Sequence, residues 1–372
     1  MPNIKRTMMG AAGVSSQSEG LFAWGIGNNG RLGTGAFGGW GAVKSSPVQV
    51  GELTTWSNMG TGRTHSLGVR TDGKLFSWGS ASYGELGKGN TTSYSSPVQV
   101  GALTTWSKVA AGDKSSFGIK TDGTLWAWGS NQWNGQLGLG DATNRSSPVQ
   151  VGALTDWSKI ASGNGTSLGI RTNGTLWAWG GGGNGANGRG NTTTYSSPVQ
   201  IGSLTTWANV SSGMSTGLAV KTDGTMFSWG RNSSGELGLN DTTNRSSPVQ
   251  IGALTTWSKV STYYYHSAAI KTDGTLWAWG KNTNGVLGDG TTTNRSSPVQ
   301  IGALTNWSQV ACARYITVAL KTDGTLWSWG LGKFIGDDTT VSKSSPVQIG
   351  TQTNWSSVFS QAQHALAIAS SS

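Results

Sequence analysis

The chain has 372 residues, with 26 Lys and Arg against 16 Asp and Glu, a formal charge of +10 and 59 glycines. A single cysteine, Cys312, excludes a disulfide framework and a cysteine metal site. No run of about 20 apolar residues is present, which excludes a helical membrane span.

In chain order, residues 1–18 come first and belong to no repeat: Met-Pro-Asn-Ile-Lys-Arg-Thr-Met-Met-Gly-Ala-Ala-Gly-Val and the four residues that follow. They are expected to form an extended tail or an arm that docks on a neighbouring subunit. The stretch after Lys5 and Arg6 is too short and too weakly apolar for a convincing secretory signal. From residue 19 a unit of about 50 residues takes over. Trp-Gly pairs start at Trp24, Trp78, Trp128, Trp179, Trp229, Trp279 and Trp329, and the proline of a Ser-Ser-Pro-Val-Gln motif keeps step at 47, 97, 148, 198, 248, 298 and 346. A fixed period of this size means one supersecondary unit stacked on copies of itself. Length alone suggests two or three domains, but the tiling makes residues 19–372 one domain.

Residues 107–157 show one unit. Ser107-Lys-Val-Ala-Ala111 reads as a short strand and Ser116-Phe-Gly-Ile-Lys120 as a second, joined to the third by the hairpin turn Thr121-Asp122-Gly123. Leu125-Trp126-Ala127-Trp128 is the third strand, with both tryptophans on one face. After a Gly/Asn-rich loop, Pro148 to Val151 forms the fourth, its proline at the first position or edge that proline tolerates. Four short antiparallel strands repeated seven times describe an all-β, seven-bladed propeller. The repeats begin on a third strand, Glu19–Trp24, and end on a second, His364–Ala369. These two are expected to pair, completing one blade and removing the exposed sheet edges of an open array. A β-solenoid is the rival, but its coils are shorter and its ends need caps.

The four loops of each unit alternate between the two ends of the propeller. The Thr-Asp-Gly turn and the Gly-Ala-Leu-Thr connection share one end and hardly vary. The loop before the second strand and the long loop after Trp-Gly share the other end and carry almost all the variation. The former supplies Arg63, Asp113, Lys114, Met214, Tyr263, Tyr264, Tyr265, Arg314 and Tyr315; the latter adds Trp40, Tyr83, Trp133 and Phe334. Tyr, Trp and Arg gathered on one face of a rigid scaffold make a partner-binding surface. Neutral drift of surface loops is the plainer explanation, though drift does not favour aromatics on a solvated face. The cations are spaced: Arg70, Lys120, Arg171, Lys221, Lys271 and Lys321 at one repeat position, Arg145, Arg245 and Arg295 at another. They read as a solvated rim, with an anion-binding ring as the alternative. A nucleic-acid binder would cluster them along one groove.

The segments Leu-Gly-Leu-Gly-Asp (137–141), His-Ser-Leu (65–67), Thr-Asp-Gly-Thr-Leu-Trp-Ala-Trp-Gly (121–129) and Asn-Gly-Gln-Leu-Gly (134–138) resemble the regulator of chromosome condensation repeat family over nearly the whole chain. The resemblance implies a seven-bladed propeller. Members include a nucleotide-exchange factor for a nuclear GTPase, an ultraviolet-B photoreceptor and an inhibitor of β-lactamases, so they share a scaffold rather than a reaction. The photoreceptor's Gly-Trp-Arg-His-Thr motif is absent here. Of the 20 tryptophans, 18 hold repeat positions, which suits packing between blades.

No catalytic constellation is evident. His65, His266 and His364 occupy one repeat position in different blades, where structural roles are expected. Asp72, Asp122, Asp223, Asp273 and Asp323 are turn residues, replaced by Asn173 in one copy. The expectation is a non-enzymatic binding or structural module without cofactor or metal. Its opening residues are similar to those of structural proteins of marine tailed phages, which implies a virion component on the particle exterior, in contact with other virion proteins or a host-surface component. The alternatives are a cytoplasmic exchange-factor-like regulator of a small GTPase and a secreted inhibitor or lectin-like binder.

Overall fold

Two glycines in each unit shape the meander. Gly123, in the hairpin turn, has φ 75°, and a Cβ there would collide with the Thr155 carbonyl in the connection to the next blade. Gly129, after the tryptophan, has φ 100°, and a Cβ would stand 2.6 Å from the Lys114 carbonyl oxygen. Asp-Gly and Trp-Gly recur because no other residue fits either place. The computed structural model describes residues 20–39 and 42–370, which form seven four-stranded antiparallel sheets. The expected arm at 1–18 and Trp40 lie outside the described residues.

Blades are numbered here in chain order, the first being the one that uses both ends. There the strand Gly20–Ile26 pairs antiparallel with His364–Ala369, from Gly20 opposite Ala369 to Gly25 opposite His364. The ring closes as the repeat phase implied. The third blade, typical of the rest, has strands Trp106–Ala111, Ser115–Lys120, Leu125–Gly129 and Arg145–Gln150. The first strands of successive blades pack round the axis, and the fourth is the outer edge.

That fourth strand differs from expectation. It begins at Arg145, three residues before Pro148, and its register shifts between Arg145 and Val149. Proline is admitted inside the strand because its nitrogen meets the irregular stretch of an edge strand, where no ladder bond is lost. The outer edge is also not bare. The Gly89 N–H of the second blade donates to the Ser146 carbonyl of the third at 2.7 Å, and equivalent bonds run from Gly140 to Ser196 and from Gly190 to Ser246. Asp338 to Ser45 joins the seventh blade to the first. The long loop after Trp-Gly is therefore in large part a clasp on the next blade's outer strand.

The core is divided into wedges between blades. Leu67, Val69 and Leu75 of the second blade pack with Trp106, Val109 and Trp128 of the third. Trp128 is fully buried, and its ring meets Trp106 edge-on at 6.0 Å. Its indole N–H donates across the wedge to the Glu85 carbonyl at 2.8 Å. Each such tryptophan removes roughly 200 Å² from water, on the order of 5 kcal/mol of burial, and Trp78, Trp128, Trp229, Trp279 and Trp329 also tie two blades together through the indole N–H.

Candidate protein-binding face

Hydrogen bonds fix which loops share an end. Ser130 N–H donates to the Lys114 carbonyl at 2.9 Å, joining the loop after Trp-Gly to the loop before the second strand. At the other end Thr121 N–H donates to Thr105 at 2.8 Å, and Trp157 N–H to Gly123 at 3.0 Å. The variable loops thus lie on one face. They also converge: Arg63 N–H donates to the Asp113 carbonyl, Asp113 to Gly163, Asn164 to Gly213, and Arg314 to Ala362, linking neighbouring loops round the mouth of the axial channel.

Six of the expected binding residues meet at that mouth. Arg63, Asp113, Met214, Tyr263, Tyr264 and Arg314 line one depression. Arg63 Nη1 stands 3.4 Å from Asp113 Oδ2. Arg314 Nη2 donates to the Tyr264 hydroxyl at 2.9 Å. Tyr264 has φ 58°, an uncommon conformation for a bulky residue, imposed by the tight turn between paired Tyr263 and His266. Tyr265 sits beside it, ring centroids 4.1 Å apart. Tyr263 itself turns inward and is 5 % exposed; burial pushes its phenol well above the usual range. It supports the mouth rather than presenting a hydroxyl.

A second aromatic patch lies on the same face. The Lys114 ammonium is 4.3 Å from the Tyr83 ring centroid and 4.7 Å from that of Trp133, which is 53 % exposed. Phe334 departs from expectation. It is 2 % exposed, belongs to the core between the seventh and first blades, and carries Tyr315 on its ring at 5.5 Å. The short helix Gly332–Phe334 explains this, turning Phe334 inward while its neighbour Lys333 stays exposed. Glu85 and Glu236, absent from the sequence-based expectations, lie beneath the face. Each caps its own loop, accepting Tyr83 N–H at 2.8 Å and Ser234 N–H at 2.6 Å, and burial raises both carboxyls.

The spaced cations are partly solvated but locally partnered, and two of them are buried. Lys271 and Lys321 are 9 % and 8 % exposed, each with its ammonium 3.6 Å from a tryptophan ring centroid, Trp277 and Trp327. Desolvation lowers both from the ordinary lysine value. Arg145, Arg245 and Arg295 are ion-paired with Asp141, Asp241 and Asp289. Packing on aromatic faces and local pairing consume these charges.

The histidines bridge blades. His65 Nε2 is 2.8 Å from Ser116 Oγ, His266 Nε2 2.9 Å from Thr317 Oγ1, and His364 Nε2 2.9 Å from Ser66 Oγ. Desolvation by burial lowers His65 to about 3 and His266 to about 4. Among the described residues no group of three His, Cys, Asp or Glu side chains is placed to hold a metal. The axial channel, about 190 Å³, is lined by small side chains such as Ser162, Ser212 and Thr262, and Gln361 Nε2 crosses it to the Ser162 carbonyl at 2.8 Å.

Models of the regulator of chromosome condensation (RCC1) repeat match residues 72–119, 122–170, 223–270 and 273–320, and a second model of that repeat matches five segments between 56 and 286. The probable E3 ubiquitin-protein ligase HERC6 of Homo sapiens is 37% identical over 71 residues, 18% of this chain and 7% of that protein. The mitochondrial RCC1 domain-containing protein RUG3 of Arabidopsis thaliana is 28% identical over 176 residues, 45% of this chain and 39% of that protein. The match thus spans less than half the length of these curated relatives. Among solved structures, Prp20p of Saccharomyces cerevisiae superposes with TM-score 0.84 at 20% identity, covering 96% of this chain and 93% of that one. Human WBSCR16 gives 0.84 at 20% identity, covering 95% and 100%. At that identity the likeness establishes the fold.

Proposed function

Because the chain belongs to the regulator of chromosome condensation (RCC1) repeat family, whose repeat covers more than half of it, we propose that it is a non-enzymatic binding module that takes a protein partner on the variable face. The observation that carries this reading is convergence. Loops from different blades bring Arg63, Asp113, Met214, Tyr264 and Arg314 to one channel mouth, with Tyr83 and Trp133 beside it. Rigid aromatics and arginine on a closed ring bind with little ordering cost. Protein partners are in keeping with the relatives: Prp20p is described by its binding to Gsp1p and histones, and with Kap60 bound.

The proposed setting is the exterior of a virion, supported by a surface rich in Ser, Thr, Asn and Gly with 11% charged residues. A photo-crosslinking residue placed at Tyr265 or Trp133 tests the face, with Leu204 and Leu304, exposed at the opposite end, as controls. The expected result is a protein adduct from the first pair and none from the second; the reverse sinks the reading. Peptide mass spectrometry of density-purified particles tests the setting. Recovery at fixed stoichiometry with capsid or tail proteins is expected, whereas its presence only in cell lysate would favour the cytoplasmic regulator.

A further inference from the structure

Beside the channel mouth, between the sixth and seventh blades, lies a cavity of about 80 Å³ with a narrower chemistry than the face around it. Its walls include Tyr264, Tyr265, Tyr315, Lys281 and Arg314. The Arg314 guanidinium is held between two rings, 4.4 Å from the Tyr264 centroid and 5.1 Å from that of Tyr315. One nitrogen is engaged by the Tyr264 hydroxyl, but the Nε–H is buried and has no partner. The Lys281 ammonium stands 5.3 Å from the Tyr265 centroid.

The surrounding charges are accounted for elsewhere. Arg231, which also lies over Tyr265, faces buried Glu236 at 3.7 Å, and Arg63 faces Asp113 at 3.4 Å. Among the described residues, neither Lys281 nor Arg314 forms an ion pair within 4.0 Å, and buried Glu236, which Arg231 faces, is the carboxylate that also feels the Lys281 charge. The regularly spaced cations lie over aromatic rings or are paired with aspartate, as Lys271, Lys321 and Arg295 show, so this cavity is unlike them. Two cations without a close ion pair at one small opening favour an electron-rich occupant.

We propose that this cavity is an oxyanion subsite, taking a carboxylate or phosphate group presented by the partner. The group's oxygens accept from the cavity side of the Arg314 guanidinium and from the Lys281 ammonium, while the tyrosine rings exclude water round it. A cavity of about 80 Å³ has room for a carboxylate or phosphate head. The identity of the molecule that presents the group rests on the binding-face reading; the existence of the subsite does not.

The test needs no partner. The chain has seven tyrosines, so ring-¹³C tyrosine labelling of the full protein gives a short spectrum. Tyr94 and Tyr195, on outer strands, serve as internal controls. Inorganic phosphate and, separately, acetate are titrated at constant ionic strength with sodium chloride. The expected result is saturable movement of Tyr264, Tyr265 and Tyr315 with the controls still, and affinity about tenfold weaker in Lys281→Gln and in Arg314→Gln. Whichever of the two ions saturates at lower concentration identifies the chemistry. Linear drift, equal movement of all tyrosines, or unchanged affinity in a folded variant overturns the subsite. Should Arg314→Gln lose its fold, Lys281→Gln decides alone. Crosslinking from Tyr265 would still report on the binding face after such a failure, so the two ideas fall separately.

Discussion

The turn residues show that geometry, not charge, is what the repeat conserves within itself. Asp122 Oδ1 accepts from Thr124 N–H at 2.9 Å and from its hydroxyl at 2.6 Å, and the same hydroxyl oxygen accepts the Trp126 indole N–H at 2.9 Å. In the fourth blade Asn173 makes the same bonds to Thr175, at 3.1 and 2.7 Å, and Trp177 follows suit at 2.9 Å. Asp122→Asn is therefore expected to leave the denaturant midpoint unchanged. Thr124→Val removes both the donor and the acceptor from a half-buried relay and is expected to cost about 1–3 kcal/mol. Equilibrium unfolding in guanidinium chloride checks both, and a loss in Asp122→Asn equal to that in Thr124→Val would show that the carboxylate charge itself matters. The histidines are governed by equally local logic. Ser116 Oγ donates its one proton to the Glu85 carbonyl at 2.7 Å, so His65 Nε2 must carry the hydrogen between imidazole and hydroxyl. Thr317 to Val286 and Ser66 to Arg31 fix the same tautomer for His266 and His364.

At the scale of strands and loops, the seam in the first blade is where the ring is held shut. Strand His364–Ala369 pairs with Gly20–Ile26 on one side and with Trp355–Gln361 on the other. Deleting residues 355–372 would bare the Gly20–Ile26 edge and open the wedge around Trp24 and Phe22. The expected loss exceeds the roughly 5–15 kcal/mol by which a domain is stable, giving aggregated rather than monomeric protein on gel filtration. A circular permutant that joins 370 to 20 and opens at the exposed 152–155 connection retains every blade and is expected to elute as the intact ring. Monomeric, folded truncated protein would show that the seam is dispensable. The strands and this seam were legible in the sequence because each copy repeats the same turn glycines and tryptophans. The site was only half legible. Which end carries the variable loops follows from strand alternation, but their meeting at the axis comes from packing between blades. Tyr263 and Tyr264 look alike in sequence, yet the two-residue turn sends one into the core and the other outward. Phe334 misled because the short helix Gly332–Phe334 in the loop after Trp-Gly turns it inward. Lys281 was passed over, though one signal could have found it: Ser80, Ser130 and Gly181 hold its position in other blades, and only Arg231 matches its charge.

For the whole ring, wedge burial and interblade histidines make stability a function of pH. The three imidazoles are buried at the joins between first and second, second and third, and sixth and seventh blades. Folding lowers His65 to about 3, His266 to about 4, and His364 well below the ordinary value, burial being the leading cause in each. Above about pH 6.5 the imidazole is neutral in both states and contributes no pH dependence. Below it the unfolded chain takes up protons that the folded ring refuses, so stability falls as pH falls, by about 1.4 kcal/mol per unit for each histidine. Three together give a slope of about 4 kcal/mol per unit between pH 6 and 4. Glu85 and Glu236 act the other way. Burial raises them, so the folded state binds their protons more readily, which stabilises below the unfolded carboxyl value and fades as pH rises. Their effect moderates the acid side of the same window. The turn aspartates, held low chiefly by bonds from the following threonine, add their loss only at more acid pH. The denaturant midpoint is thus expected to be level from pH 8 to 6.5 and to descend steeply below. His266→Thr places at that position what the fourth and fifth blades already carry, Thr166 and Thr216, and is expected to remove about a third of the slope. A midpoint that stays level down to pH 4.5, or a slope untouched by His266→Thr, would mean that the joins open and protonate without unfolding the ring.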